Sequence, residues 1–304
     1  MTYWLNGLWT KEPAIVVSDD LTLRQPTQAD FEVERPLDPS LAGLDSEPRF
    51  QFPSAILEMR KRAKGQPELL FELETLMTAL RLFRVGSVAQ LQSHWSSESL
   101  LGFGSFRMGH GLIPIPADKY AISESELQEL RTFLQRIKPL IPQELIKGGE
   151  TRDDMVTSLQ RFNDAMLKPE IPESRMAFAI MSLEALYLKS GEHAELEHRL
   201  SQRIGKMLSI LGHEALEVYN RIRQSYEIRS NFVHGEPLKK EDRQYAAENL
   251  SKMLEYSRAS IVASLQLREQ TTKEQLLNLI DNSLLSQSAH AKLTERIKDN
   301  CTVY

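Results

Sequence analysis

The chain has 304 residues, 41% of them hydrophobic and 26% charged, a composition typical of a globular protein with one large domain or two ordinary ones. Its net charge of −5 excludes a protein that binds nucleic acid through overall positive charge, so an RNA site would have to be a local basic groove. The single cysteine, Cys301, excludes a disulfide framework, and no apolar run approaches the ~20 residues that span a bilayer. Because no signal peptide is recognisable at the N-terminus, we expect a cytoplasmic protein that does not associate with membranes.

The first part of the chain predicts short strands followed by helix. Residues 14–17 and 21–24 are strand-like runs bounded by turn residues, and residues 27–31 predict a short helical turn. Helical spacing of apolar residues begins near Ser54. This spacing is clearest at residues 67–83, which have a proline in the first turn.

The pattern then returns to extended structure before the next helices. Three segments predict a small antiparallel sheet: residues 88–95, 102–108 and 112–115. The segment GFGSFRMGHG lacks the glycine spacing of a phosphate-binding loop, so it predicts a hairpin. Ser123 and Glu126 form a capping box that opens a helix, and a further helix is predicted at 153–167. Pro169 and Pro172 then mark a domain boundary.

The C-terminal half, residues 173–304, predicts an up-and-down helical bundle with a helical extension, preceded by a smaller α+β region at 1–172. The sequence is therefore of the mainly α class. Four helices are predicted in succession: residues 175–189, 194–211, 214–234 and 240–268. Each of the first three stops at a glycine, which readily adopts the left-handed conformation just past a helix end. Two weaker helices follow at 273–286 and 289–299, and helices of similar length with short connections are typical of such bundles.

A charged residue on an apolar helix face is the feature that points to a site. This face carries, at spacings of three and four, the residues Tyr219, Ile222, Tyr226, Arg229 and Val233. A guanidinium cannot lose its charge, so burying Arg229 is costly unless it is paired or opens onto a wet groove. His234 follows at the predicted end of the helix, where the helix dipole favours positive charge. An arginine beside a histidine that exchanges protons near neutral pH suits acid–base chemistry on a phosphate.

The residues around this site resemble a known family. RSNFVHG, which begins at Arg229, resembles the R-x(4–6)-H signature of HEPN domains in the RS-x-x-VHG form of the ApeA-like branch. SLEALY at 182–187 is similar to the acidic first core helix of that branch. ELEHRLSQRIGKMLS at 195–209 is similar to its second helix. The resemblance covers about residues 175–267 and implies a HEPN-like helical bundle.

The resemblance also implies a reaction and a partner. HEPN ribonucleases cleave RNA without a metal, which would make Arg229 and His234 catalytic, and they act as homodimers. Five residues of helix rotate by ~140°, so these two side chains converge only if the last turn unwinds or if they meet across a two-fold axis. Ser230 is a departure, because many HEPN ribonucleases have Asn, Asp or His directly after the arginine; here Asn231 comes one place later.

Three further residues are predicted to support the site. Glu184 lies on an apolar helix face, and a buried carboxylate needs a cationic partner, for which Arg229 and Arg203 are the candidates. Glu184 either orients Arg229 in the site or forms a structural ion pair between helices. The same two interpretations apply to Arg203. Tyr226, one turn before Arg229, either stacks on a base or simply packs.

The leading hypothesis is a HEPN ribonuclease that acts on single-stranded RNA, as a toxin or phage-defence effector controlled by a regulatory protein or trigger. One alternative is a non-catalytic HEPN dimer that binds RNA, a nucleotide or a partner protein; another is a helical scaffold in which Arg229 is structural. Ser230 and the negative net charge favour the first of these alternatives, the non-catalytic dimer. No cofactor is expected, and His193, His198 and His213 lack the spacing of a metal site.

Overall fold

The structure is a computed structural model that describes residues 1–32, 53–60, 66–99, 102–109, 118–147, 153–168 and 171–302. The chain packs as two compact units. The sheet unit comprises Met1–Ala63 and Gly86–Arg131, and the helical unit comprises Lys64–Val85 and Thr132–Tyr304. The helical unit is thus larger than the bundle predicted to begin at residue 173. Helices before that boundary share its core, because their apolar faces have to be buried against other helices.

The sheet unit contains a six-stranded antiparallel sheet in the order β3-β4-β5-β1-β6-β7. Its strands are β1 (Thr2–Asn6), β3 (Ala14–Ser18), β4 (Leu21–Arg24), β5 (Ala55–Met59), β6 (Ala89–Ser99) and β7 (Gly102–Gly109). Two further strands, β2 (Leu8–Thr10) and β8 (Tyr120–Ile122), form a parallel pair. A short helix, α1 (Gln28–Glu32), follows β4.

Most of the predicted strands of this unit are confirmed, and one predicted helix is wrong. The runs at 14–17 and 21–24 are β3 and β4. The segment GFGSFRMGHG, predicted to form a hairpin, is a single strand over residues 102–109, β7, which pairs antiparallel with β6. Helical structure was predicted from Ser54, but Ala55–Met59 is a strand hydrogen-bonded on both sides. Its four apolar residues are buried, and Glu58 is the one charged residue among the five. So short a run cannot be told from a buried helix by periodicity. The strand predicted at 112–115 lies outside the described residues.

The helical unit contains the long helices of the chain. They are α2 (Gln66–Phe83), the last part of α3 (Leu127–Ile137), α4 (Glu144–Lys147), α5 (Asp154–Leu167), α6 (Pro172–Tyr187), α7 (Leu196–Ile210), α8 (Ala215–His234), α9 (Lys240–Leu267), α10 (Lys273–Ser283) and α11 (Gln287–Asn300). The helices predicted in the C-terminal half are confirmed to within a few residues. No helix within the described ranges is long and apolar enough to cross a membrane.

Helix α6 lies at the centre of the C-terminal helical bundle. Eleven of its sixteen residues are buried, and it packs against α5, α8 and α9. Phe178 meets Phe232 at 6.3 Å between ring centroids, whereas Glu184 pairs with Arg229, so residues pair in reverse order along α6 and α8. These two helices therefore run antiparallel. In a simple up-and-down bundle the first and third helices, here α6 and α8, run parallel, so this bundle departs from the predicted order. The reason is that α6 is apolar around most of its circumference and has to be covered by helices on several sides.

Both ends of α8 are set by local capping. The Glu214 carboxylate accepts a hydrogen bond from the Glu217 backbone N–H at 2.7 Å at its start. Gly235 adopts a left-handed φ of 69° at its end. The backbone N–H groups of Gly235 and Glu236 donate to the carbonyls of Phe232 and Asn231 at 3.3 and 2.9 Å. This pairing is a Schellman motif, and it terminates the helix immediately after His234.

Candidate functional site

The ion pair between Arg229 and Glu184 is the centre of the candidate site. Arg229 Nη2 donates to Glu184 Oε2 at 2.8 Å, and the two side chains are 23% and 15% exposed. Of the two cations predicted as partners for Glu184, the structure thus selects Arg229. The pair joins α6 to α8 and is neither sealed in the core nor fully solvated. Glu184 therefore holds the guanidinium in one orientation at the surface of the bundle.

The Glu184 carboxyl sits in an environment that disfavours its charge. Burial raises its pKa above the ordinary value, and this effect outweighs the opposing pull of the Arg229 charge. The folded protein therefore binds the Glu184 proton more tightly than the unfolded chain does. The pair is therefore costly to maintain in its charged form, because desolvation of its two charges opposes their attraction.

A pH-dependent stability difference between the wild type and Glu184→Gln is expected from this raised pKa. The contribution of a group whose folded pKa is raised is fully present below its unfolded pKa and is lost as the pH rises through the folded value. The wild type should thus gain free energy of unfolding relative to Glu184→Gln when the pH falls from about 7 to about 4. Urea titrations of both proteins at the two pH values measure this. An equal difference at both, or a change of the opposite sign, would contradict the assignment.

Tyr226 completes the group around Arg229. The guanidinium carbon lies 5.8 Å from the centroid of the Tyr226 ring, within the range of a cation–π contact. Burial raises the pKa of the half-buried Tyr226 hydroxyl. Nε of Arg229 is enclosed and makes no hydrogen bond to any described residue. A guanidinium has five N–H groups, so Arg229 keeps donors beyond the one directed at Glu184.

His234 lies apart from Arg229 within a single chain. Helix α8 remains regular up to His234, so the unwinding that would bring the two side chains together does not occur. Their directions around the helix axis differ by about 140°. His234 is exposed, and Ser230 and Asn231, between it and Arg229, are half-buried. One copy of the chain therefore presents the arginine and the histidine to different sides of α8.

Arg203 belongs to a different cluster, which is structural. Its side chain is 2% exposed, and it donates to Glu192 at 2.8 Å, to Asp281 at 2.7 Å and to the backbone oxygen of Tyr187 at 2.7 Å. Hydrogen bonds from Arg203 lower the pKa of the Glu192 carboxyl to about 2. Arg203 thus fastens the loop after α6 to α10. This placement agrees with the structural interpretation of Arg203 and separates it from the group around Arg229.

A groove beside α8 is the feature that sequence reasoning missed. It consists of two adjoining hollows of about 520 and 560 Å³, which share Glu197, Arg223 and Tyr226. One extends along the start of α7 and the other along α8 towards Ser230 and Asn231. Residues 219, 223, 226 and 230 follow helical spacing in the sequence, but nothing in the sequence shows that α7 forms the second wall. We call this feature the α7–α8 groove.

Comparison of the sequence with protein-family models finds no match, and comparisons with curated proteins and with solved structures find none either. Within the part of the chain that the structure describes, no group of three or more His, Cys, Asp or Glu side chains is arranged to hold a metal ion.

Proposed function

We propose that this protein is a metal-independent endoribonuclease of the HEPN type that acts as a homodimer on single-stranded RNA. The observation that supports this best is the Glu184–Arg229 ion pair, in which Arg229 keeps 23% of its side chain exposed. A purely structural arginine is expected to use its donors on protein groups, as Arg203 does with five hydrogen bonds. Arg229 is instead held in place by one carboxylate and keeps further N–H donors, which suits binding of a phosphate.

The separation of the two proposed catalytic residues supports a dimer. Because α8 stays helical through His234, Arg229 and His234 of one protomer diverge. A two-fold axis near the end of α8 would bring Arg229 of each copy beside His234 of the other, since an isologous contact repeats every pairing twice. Val233 is 47% exposed next to His234 and supplies an apolar side chain for such a contact. Each dimer would then contain two composite sites.

The proposed reaction uses Arg229, His234 and solvent water. A ribose 2′-hydroxyl attacks the adjacent phosphorus, and the bond from phosphorus to the 5′-oxygen of the next nucleotide breaks. The products are a 2′,3′-cyclic phosphate and a 5′-hydroxyl. His234 takes the proton of the attacking hydroxyl or gives a proton to the leaving oxygen, and solvent water makes the other proton transfer. Arg229 stabilises the additional negative charge on the phosphorane. A role as a toxin or phage-defence effector stays a prediction.

Mixing two inactive variants tests both the chemistry and the dimer. Arg229→Ala and His234→Ala should each slow cleavage of a mixed single-stranded RNA pool in EDTA by at least about 10²-fold. In a heterodimer of the two, one composite site lacks both residues and the other keeps both. Random exchange makes about half of the dimers heterodimers, so we expect mixing to restore about a quarter of the wild-type activity.

Three other outcomes of the mixing experiment have different meanings. Full loss without rescue, with dimers present by light scattering, would contradict the composite site. Cleavage by the wild type and both variants at the same rate would identify a contaminating nuclease. No cleavage by the wild type, together with RNA binding that Arg229→Ala removes, would favour the non-catalytic dimer. One observation favours the non-catalytic dimer. His234 makes no hydrogen bond to a described residue, so nothing described orients its ring.

A further inference from the structure

The α7–α8 groove has the chemistry of a surface that binds nucleobases. Its walls carry two tyrosines, one arginine, two histidines and several amide or hydroxyl side chains: Tyr219, Tyr226, Arg223, His193, His198, Asn220, Gln224, Ser230 and Asn231. Aromatic faces and guanidinium planes stack on unpaired bases, while amides and hydroxyls hydrogen-bond to base edges. This combination is typical of sites for single-stranded RNA.

Tyr219 is held in a fixed orientation at one end of the groove. Its hydroxyl lies 3.0 Å from Nδ1 of His198, and the two rings are 6.0 Å apart in an edge-to-face arrangement. Tyr226 lies seven residues further along α8, which separates the two tyrosines by about 10 Å along the helix. Both rings are half-buried, so one part of each is packed and the other part faces the groove. The two rings form a pair of stacking positions on one wall.

Arg223, like Arg229, is held by a carboxylate from another helix. Its Nε donates to Glu197 Oε1 at 2.7 Å, while the side chain is 63% exposed and its two Nη nitrogens make no hydrogen bond to a described residue. Tyr226 lines the groove with Arg223 and also lies under Arg229. A tyrosine thus sits between two arginines, each held by a carboxylate from another helix. This order alternates a base-stacking group with groups that bind phosphate.

The charge of the groove determines which interactions could hold RNA in it. Glu195, Glu197 and Glu227 also line it, and Arg223 is the one arginine among the described residues of its walls. Phosphate attraction alone cannot hold an RNA strand on such a surface. Stacking on bases and hydrogen bonds to bases must supply most of the affinity. A protein can make these contacts only with unpaired bases. The groove therefore favours a single strand over a duplex.

We propose that the α7–α8 groove binds the unpaired nucleotides next to the cleaved bond, with Tyr219 and Tyr226 stacking on bases and Arg223 contacting the intervening phosphate. This inference rests on the proposed function and extends it, because it places the substrate strand along α8 and selects single-stranded RNA. Two phosphate contacts, at Arg223 and Arg229, predict a shallow salt dependence, with a slope of log K against log salt of about −1.4.

Binding of a fluorescent 2′-O-methyl hexanucleotide of mixed sequence tests the proposal, because this RNA lacks the attacking hydroxyl and is not cleaved. Tyr219→Leu is expected to weaken binding by about 5- to 150-fold, and Tyr219→Phe should recover most of the loss by restoring the ring. Arg223→Ala should also weaken binding. Arg161→Ala is the matched control: Arg161 is likewise exposed and paired with a carboxylate, Asp164, but lies on α5. Circular dichroism checks that each variant is folded.

The outcomes separate this inference from the proposed function. Wild-type affinity in Tyr219→Leu and Arg223→Ala would overturn the groove assignment and leave the cleavage hypothesis untouched. Binding that depends on Tyr219, in a protein that cleaves no unmodified RNA, would support the groove and overturn the nuclease. A steep salt slope with no effect of Tyr219→Leu would identify nonspecific phosphate binding elsewhere and overturn the groove. Absence of binding by the wild type would overturn the groove outright.

Discussion

His234→Ala is expected to slow RNA cleavage by about 10²–10⁴-fold, the usual contribution of a placed histidine that transfers a proton. The effect on stability should be small, within about 0.5 kcal/mol, because His234 is exposed at the end of α8 and Gly235 terminates the helix through backbone hydrogen bonds. Initial rates on a labelled single-stranded RNA in EDTA, together with urea unfolding, measure both quantities. A loss of activity without a loss of stability identifies His234 as part of the reaction.

The matched control for His234→Ala is His290→Ala. His290 is also an exposed helical histidine, but it lies on α11. We expect the cleavage rate of this variant to equal that of the wild type. Equal rates for the wild type and both variants would remove His234 from the mechanism. A parallel fall in both variants would indicate a general effect of losing surface histidines and would equally contradict a specific role.

Arg203→Met is expected to lower the free energy of unfolding by about 3 kcal/mol. Methionine fills much of the space of the arginine side chain, so the loss reports on charge and hydrogen bonding more than on a cavity. It leaves the carboxylates of Glu192 and Asp281 without the cation that both of them contact. We choose the lower end of the range for breaking a buried pair, because Asp281 is 37% exposed and partly solvated. Urea unfolding of both proteins measures the difference.

The pH dependence of the Arg203 effect provides an independent check. The pKa of Glu192 is lowered to about 2 by Arg203, so its contribution to stability is present above the unfolded pKa and is lost as the pH falls towards 2. Arg203→Met should therefore lose less stability than the wild type on acidification. Arg161→Met serves as the control, because Arg161 is 44% exposed in its pair with Asp164 and should change stability by less than about 1 kcal/mol. Equal effects of the two substitutions would contradict a structural role for the Arg203 cluster.

Much of the helical unit could be predicted because helix ends are set by nearby residues. Glycine takes the left-handed conformation that closes α8 at Gly235, and the carboxylate of Glu214 opens it. Such signals act within a few residues, so they do not depend on what the helix packs against. The same reasoning failed at β5, Ala55–Met59, where the run is short and four of its five residues are apolar. Its strand conformation depends on ladder hydrogen bonds to β1 and β4, which are distant in sequence.

The candidate site was partly predictable from residue types alone. A charge on each of two apolar helix faces, at Glu184 and Arg229, indicated that the two would need partners inside the bundle. Arg203 satisfied the same rule and could not be separated from Arg229 by sequence. The structure separates them, because α8 packs on α6 beside Glu184 whereas Arg203 faces Glu192 and Asp281.

By itself, then, the sequence determined the positions of the helices, the charged residues that their apolar faces carry, and the segment that resembles the HEPN signature. Those properties follow from local spacing and capping, which act over one or two turns of helix. Tertiary structure alone decided that Glu184 pairs with Arg229, that α6 and α8 run antiparallel, and that α7 closes a groove beside Tyr219 and Tyr226. Each of these depends on which helix faces meet, and that is settled by packing between residues far apart in the chain.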